Sequence, residues 1–455
     1  MQSWHKRCTS SFALIFSSQE RITEPPVLDT PAASCAQTTL VEKPTRPSRV
    51  RAFRDQTFAS LKYPNYRLWF VGQLISLFGT WMQTTAQGFL VYQLTGSPVY
   101  LGYVGFANGA PSWLFMLYGG AIADRMPRRK LLILSQTSMM ILAFILAGLT
   151  FSGSVQPWHI IVLAFALGIA NAFDAPTRQA FVPELVDRKD LTNAIALNST
   201  MFNMATVVGP AVAGFTYALF GPGWCFTING ITFIAVIAAL YLMRIAPLVS
   251  RPRLRSVVLD ITEGLRYTLR HRAVRMIITN LMVVSLFGLG FITLIPAWAV
   301  DVLKGDSTTN GYLLSARGAG ALLGALMIAS MGEFSWKGKL LTVGSFTMPI
   351  LLFAFAATRL LPLSVMALIG VGWGFMVLLN MSNSLVQEHV PDELRGRVMG
   401  IYTLTFFGFM PIGSLINGAL AERFGEPSTI FINGLVLIGF AGLMWILAPG
   451  LRRLE

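Results

Sequence analysis

Twelve long apolar runs, separated by short polar breaks, decide what this chain can become. They occupy about 68–94, 98–119, 131–152, 157–177, 194–220, 223–243, 274–300, 309–331, 339–357, 361–386, 399–421 and 428–448. A helix needs about 20 apolar residues to cross the hydrocarbon of a bilayer. Helices and closed barrels are also the only structures that satisfy their backbone polar groups there. Of the 455 residues, 12% are charged, about half the share of a water-soluble domain. The chain is therefore expected to be an all-α membrane protein with twelve transmembrane helices.

The breaks divide the chain. Residues 1–66 are polar, with Pro25, Pro26, Pro31, Pro44 and Pro47 among Ser, Thr and Arg, and read as a disordered cytoplasmic N-terminal tail. The apolar patch 12–16 is too short to span and makes a poor signal peptide, and a start codon assigned too far upstream is an alternative account of the tail. Residues 67–243 and 274–448 form two six-helix halves, 244–273 a cytoplasmic linker and 449–455 a cytoplasmic C-terminal tail. Within the linker, Asp260, Glu263 and Arg266 alternate with Ile261, Leu265, Tyr267 and Leu269, the pattern of a short amphipathic helix at the membrane surface.

Orientation follows from the cations, which accumulate on the cytoplasmic side of a bilayer. With both termini inside, only Lys304, Arg359 and Arg423 fall outside, and Arg317 falls within a span; the rest of the 35 Lys and Arg lie inside. The net charge of +14 thus reports insertion topology and contact with anionic lipid heads, and nucleic acid is not an expected partner. The halves also repeat weakly. Val182-Pro183-Glu184-Leu185 returns as Val390-Pro391-Asp392-Glu393-Leu394, Phe220-Gly221 as Phe424-Gly425, and Asn229-Gly230 as Asn433-Gly434. A duplicated unit accounts for this.

Enzymatic chemistry finds no foothold. The three Cys and four His are scattered, without a disulfide framework or metal-ligand spacing. No phosphate-binding G-x-x-x-x-G-K-S/T loop is present, and no nucleophile–base pair is readable. No cofactor or metal is expected.

One loop carries more chemistry than a turn requires. Gly120-Ala121-Ile122-Ala123-Asp124-Arg125-Met126-Pro127-Arg128-Arg129-Lys130 joins two apolar runs with one acid and four bases. A carboxylate there can accept hydrogen bonds from a helix N-terminus, and the arginines can pair with carboxylates. The spacing resembles the loop between helices 2 and 3 of major facilitator superfamily transporters, G-x-x-x-D-R/K-x-G-R/K-R/K, with Pro127 in place of the second Gly. Phe173-Asp174-Ala175-Pro176-Thr177-Arg178-Gln179-Ala180-Phe181, Gly209-Pro210-Ala211-Val212-Ala213-Gly214 and Arg317-Gly318-Ala319-Gly320 resemble the branch of that superfamily made up of bacterial enterobactin exporters and related efflux proteins. The resemblance covers about 67–448. It implies alternating access, a cytoplasmic gate at Gly120, Asp124, Arg125, Arg128 and Arg129, and export driven by proton entry. Gly209-Pro210 and Gly214 partly match an antiporter signature G-P-x-x-G-G, with Ala213 replacing one Gly. They mark a bend in helix 5, or a plain packing kink.

Polar side chains within a span must face protein or a water-filled cavity. In the first run Gln73, Ser76, Thr80, Gln83, Thr84 and Gln87 recur at three- and four-residue spacing and share one face. In the tenth run Trp373, Asn380, Asn383, Ser384 and Gln387 do the same. Both stripes are candidates for a substrate cavity, with hydrogen bonding between helices as the alternative. Asn280, and more weakly Asn108, join them. Asn171, Asp174 and Arg178 share a face of the fourth run, as a gate ion pair or a helix cap. Arg317 is the full charge placed well inside a span; it can bind an anionic substrate, pair with a carboxylate or snorkel to the outer interface. No Asp or Glu sits in the middle of any run, so a proton as coupling ion follows from the resemblance alone.

The chain is thus expected to be a monomeric secondary transporter of a bacterial inner membrane, exporting a small amphipathic molecule of siderophore or drug type. An importer or a lipid flippase on the same fold is the nearest alternative. A membrane receptor or assembly subunit that moves nothing is the alternative of another class.

Overall fold

The computed structural model describes residues 57–123, 126–244, 257–332, 334–447 and 450. The described chain is helical throughout its long elements. Twelve long helices follow one another: α1 (Pro64–Thr95), α2 (Pro98–Ala123), α3 (Arg128–Phe151), α4 (Pro157–Phe181), α5 (Leu191–Phe220), α6 (Pro222–Leu242), α7 (Arg272–Val302), α8 (Ser307–Ser330), α9 (Lys337–Ala357), α10 (Leu361–His389), α11 (Asp392–Phe424) and α12 (Glu426–Leu447). Ten are long and apolar enough to cross a membrane, and α1 and α2 complete the set. Proline opens α1, α2, α4 and α6, where its missing N–H costs nothing and its φ already suits a helix.

The short breaks make sequential helices antiparallel neighbours, and the packing repeats between halves. Helix α2 packs on α4 as α8 does on α10, and α3 on α6 as α9 does on α12. The dipeptide repeats mark equivalent joints. Gly221 and Gly425 both turn the chain with positive φ, +86° and +78°, a region closed to most side chains. A methyl group on Gly230 would meet the Phe144 ring at 2.7 Å, and one on Gly434 the Phe353 ring at 2.6 Å. The same close helix approach has been built twice.

Two boundaries differ from the sequence expectation. Residues 1–56 lie outside the described residues, but ordered chain begins before residue 66. A 3-10 turn at Ala59–Lys62 precedes α1. The Ser60 N–H donates to Asn193 Oδ1 at 2.9 Å, and the single Tyr63 hydroxyl proton is shared between Asp187 and Asp190, whose oxygens lie 2.8 and 2.7 Å away. Lys62 pairs with Asp190 at 2.6 Å. These contacts hold the foot of α1 against the start of α5. Part of the linker is ordered as well. Its helix, Val257–Arg270, docks on the start of α11, with Glu263 pairing with Arg397 at 2.8 Å. The rest of the linker, 245–256, and residues 451–455 of the C-terminal tail lie outside the described residues.

Helix α7 differs from the other eleven. It is regular from Arg272 to Val283, then widens into a π-turn at Val284–Leu289. It tightens to 3-10 at Gly290–Leu294 and widens again at Trp298–Val302.

Candidate functional site

The two halves meet at the end of the bundle remote from the Lys- and Arg-rich loops. Four polar contacts cross there. The Tyr92 hydroxyl at the end of α1 donates to Asp301 near the end of α7. Ser97 donates to Glu422 at 2.7 Å, Thr293 to the Leu101 carbonyl at 3.0 Å and Ser307 to the Gly214 carbonyl at 3.2 Å. Between them backbone lies on backbone. A methyl on Gly102 would come within 2.9 Å of the Ser414 carbonyl, and one on Gly318 within 2.6 Å of the Thr206 carbonyl. The seam therefore runs from the helix ends down α2–α11 and α5–α8. Small residues let membrane helices approach closely enough for dispersion to hold them.

At the basic end the described contacts stay within a half. Arg128 pairs with Glu184 and donates to the Ala180 carbonyl, and Arg129 donates to the Tyr241 carbonyl at 2.8 Å. Both cations thus cap the carboxyl ends of helices, α4 and α6, where the helix dipole favours positive charge. Lys337 pairs with Glu388, and Arg395 donates to the Gln387 carbonyl. Among the described residues no hydrogen bond or ion pair joins the halves at this end. Polar contacts between the halves are thus concentrated at one end among the described residues. Asp124 and Arg125 of the loop motif lie outside the described residues; Gly120 lies in the last turns of α2.

The α4 trio does not bridge the halves. Asp174 is 1% exposed and accepts hydrogen bonds from Ser135 and Gln136 of α3, both at 2.9 Å, with Arg178 at 3.6 Å. It therefore pins α3 to α4 inside the first half. Asn171 is half-buried on the same helix. Gly209 and Gly214 are approach points: Gly209 faces Trp81 of α1 and Gly214 faces Ser307 of α8, while Pro210 sits inside an unbroken α5. Close contact between helices is what the motif achieves here.

The α1 stripe splits, and this corrects the expectation that all of it lines a cavity. Gln83 accepts from Asn229 of α6 at 2.6 Å, and Gln87 donates to the Ile160 carbonyl of α4 at 3.4 Å; both are buried, as is Gln73. Gln83 and Gln87 hold the first half together, because a buried amide needs partners and the neighbouring helices supply them, whereas the Gln73 Oε1 is buried without a partner. Thr80 is half-buried and Thr84 exposed. They lie opposite the outward-facing Val71 and Ile75, on the side where Gly88 meets Pro296 of the other half. Thr80 and Thr84 donate their hydroxyls to the carbonyls one turn back, both at 2.9 Å. The α10 stripe keeps one partly exposed face: Asn380 donates to the Met376 carbonyl, and Gln387 donates to Asn383. Asn280 is buried within the second half.

Arg317 lies on α8 with its backbone clamped from two sides. A methyl on Gly318 would strike α5, and one on Gly372 of α10 would lie 2.1 Å from the Arg317 carbonyl. Half-buried, the residue lines a narrow crevice with Leu289, Phe291, Ile292, Val371 and Phe375, beside the irregular stretch of α7. Its Nε is fully enclosed without a hydrogen-bond partner. No carboxylate among the described residues pairs with it.

Sequence reasoning missed Tyr92, Asp301, Ser97 and Glu422. They sit at run ends, where a polar residue looks ordinary. The available signal was a pair of carboxylates on the side of the membrane that carries few cations.

Comparison with known proteins gives consistent results. Residues 55–452 match the family described as transmembrane secretion effector. The staphyloferrin A transporter of Staphylococcus aureus is 27% identical over 380 residues, covering 82% of this chain and 93% of that one. The multidrug efflux pump Tap of Mycolicibacterium fortuitum is 26% identical over 388 residues, covering 83% and 94%. Among solved structures, a bacterial homologue of the human lysosomal transporter Spinster, in an inward-facing and occupied conformation, superposes with a TM-score of 0.68. It is 14% identical, with 86% of this chain and 98% of that one covered, and shares the fold.

Proposed function

The chain belongs to the transmembrane secretion effector family of major facilitator transporters, and from that premise we propose that it exports a small amphipathic molecule from a bacterial cell by alternating access. The observation that carries the reading is the asymmetry of contact between halves: a closed seam at one end, and no described polar contact across the other. That is one of the two states an alternating-access transporter must visit. The cation distribution supports placing the end without described polar contacts, and both termini, in the cytoplasm, and on this reading the conformation is one that loads cargo from inside. Relatives named for siderophore transport and for multidrug efflux support export of an organic solute. We assign the cleft walls to Thr80 and Thr84 of α1 and to Asn380, Asn383 and Gln387 of α10. The loop from Gly120 to Arg129, with Asp124 and Arg125, forms the gate that closes when the seam opens. The protein acts as a monomer in the inner membrane, with proton entry as the driving step.

The seam provides the test. Ser97→Cys and Glu422→Cys, introduced together, place two thiols where the hydrogen bond now lies. Cross-linking them should stop export and reduction should restore it. Undiminished export by cross-linked protein would sink alternating access through this seam.

A further inference from the structure

Arg317 sits deep in the membrane. It lies ten residues into α8 from Ser307, about 15 Å along the axis at 1.5 Å per residue, which is the middle of a core about 30 Å thick. Its Nε is enclosed beside an apolar crevice without a hydrogen-bond partner, while the side chain as a whole is only half-buried, so the tip of the guanidinium stays reachable from the protein interior. Pairing within the protein is ruled out among the described residues, since no carboxylate reaches it. The guanidinium stays protonated in proteins, so the charge cannot be shed. A cation without a carboxylate partner is costly within a membrane span even when half-buried, and a leucine would pack against the same apolar side chains without that cost. The glycines at 318, 320 and 372 clamp the α8 backbone on either side, so the side chain is held against the irregular stretch of α7. Broken membrane helices occur where backbone must adapt to something bound, and π-turns cluster at functional sites.

We infer that Arg317 is the counter-charge for an anionic group of the transported molecule, so that the cargo class is an amphipathic carboxylate-type anion and not a lipophilic cation. This rests on the transport reading above. The charge is kept at the expense of stability and is neutralised only when cargo is seated. Planar guanidinium and planar carboxylate match two donors to two acceptors, so lysine should replace it poorly.

The test uses full-length protein in two formats. In everted membrane vesicles, uptake of carboxyfluorescein, an anion, is compared with that of ethidium, a cation, for wild type, Arg317→Gln and Arg317→Lys. The proposal expects wild type to move carboxyfluorescein. Arg317→Gln should lose about tenfold or more of that uptake, as for a charged hydrogen bond removed, with Arg317→Lys in between and ethidium unaffected. In nanodiscs of phosphatidylcholine alone, thermal unfolding is followed with and without citrate. The unliganded Arg317→Gln protein should unfold at a slightly higher temperature than wild type, since an unpaired, half-buried charge is gone. Citrate should raise the midpoint of wild type and leave that of Arg317→Gln unmoved. Wild-type uptake of ethidium but not carboxyfluorescein would leave transport standing and overturn the anion site. Uptake of neither dye, with the citrate response intact and dependent on Arg317, would keep the anion site and defeat the transport reading. An Arg317→Gln protein that unfolds at a lower temperature than wild type, or no citrate response in wild type, would show the arginine to be structural. A midpoint raised through Arg317 by phosphatidylglycerol but not by citrate would assign the charge to a lipid headgroup and overturn the proposal.

Discussion

Helices α1 and α7 open the two halves of the repeat, yet they are built differently. Helix α1 runs 32 residues without a break and is fastened to its own half by the Gln83–Asn229 and Gln87–Ile160 hydrogen bonds. Helix α7 changes pitch four times after Val283 and lies against the crevice lined in part by the unpaired Arg317. The first half spends its buried polar groups on rigidity; the second leaves a charge unmatched beside an irregular backbone. A duplicated fold can thus divide the labour, with one half as frame and the other as the part that responds to cargo.

The sharpest way to break this comparison is at the seam both halves share. Gly318→Leu forces side-chain atoms into the Thr206 carbonyl. Overpacking costs the sealed state about 1–3 kcal/mol, which shifts a two-state balance about 5- to 150-fold. Export should fall by that order, while membrane abundance holds. Labelling of a cysteine placed at Ser97 from outside should rise; unchanged labelling would mean the seam does not open in the cycle.

Next come the two first helices themselves. A methyl at Gly290 of α7 meets Asn417 and the Gly413 backbone at 2.6 Å, whereas one at Gly88 of α1 meets only Pro296 at 3.6 Å. Gly290→Ala should destabilise by about 1–3 kcal/mol. Gly88→Ala should be neutral or stabilise by up to about 1 kcal/mol, the helix-propensity gain over glycine. Thermal unfolding in detergent ranks the pair, and equal effects would erase the distinction.

The split of the stripes predicts a third contrast. Gln83→Leu orphans the Asn229 amide and should cost about 1–3 kcal/mol of stability with the transported range unchanged. Gln387→Leu, on the partly exposed face of α10, should do the reverse. Paired unfolding and transport assays decide it.

The smallest effect concerns the foot of α1. Hydrogen bonds from Lys62, then Tyr63, hold the Asp190 carboxyl below its usual range. Its folded value is depressed, so the stabilisation is present above the unfolded value and is lost as pH falls through the folded one. Acidification below pH 4 should therefore loosen the foot modestly in wild type, and Lys62→Met should shrink that pH dependence. Protection of the Ser60 amide from hydrogen exchange measures it.

Much of this architecture was readable in the residues, for identifiable reasons. Apolar length marked the helices because the bilayer enforces it, and most boundaries fell within a few residues. The Gly221 and Gly425 turns were visible as a repeat because positive φ demands the same residue twice. The α1 stripe shows where reading stopped: periodicity finds a face, and the face of Gln83 and Thr84 is shared by α6 on one flank and the cleft on the other. Which flank a residue meets depends on the packing of distant helices. Asp174 was visible as a buried-face acid, but Ser135 and Gln136 could not be named as its partners. The changes of pitch in α7 left only Gly288, Gly290 and Pro296 as traces, residues that occur in regular membrane helices too.

The seam has one consequence for energy supply. Where Gly102 lies on Ser414 and Gly318 on Thr206, the barrier is main chain against main chain, with no side chain to titrate and no mobile charge to feel a field. At these two crossings nothing titrates, the nearest full charge is Arg317 beside Gly318, and the ionisable groups that cross the seam, at Tyr92–Asp301 and Ser97–Glu422, stand at its rim. Whatever energy drives the cycle must enter at that rim or from the cargo side, and the middle of the barrier can only follow.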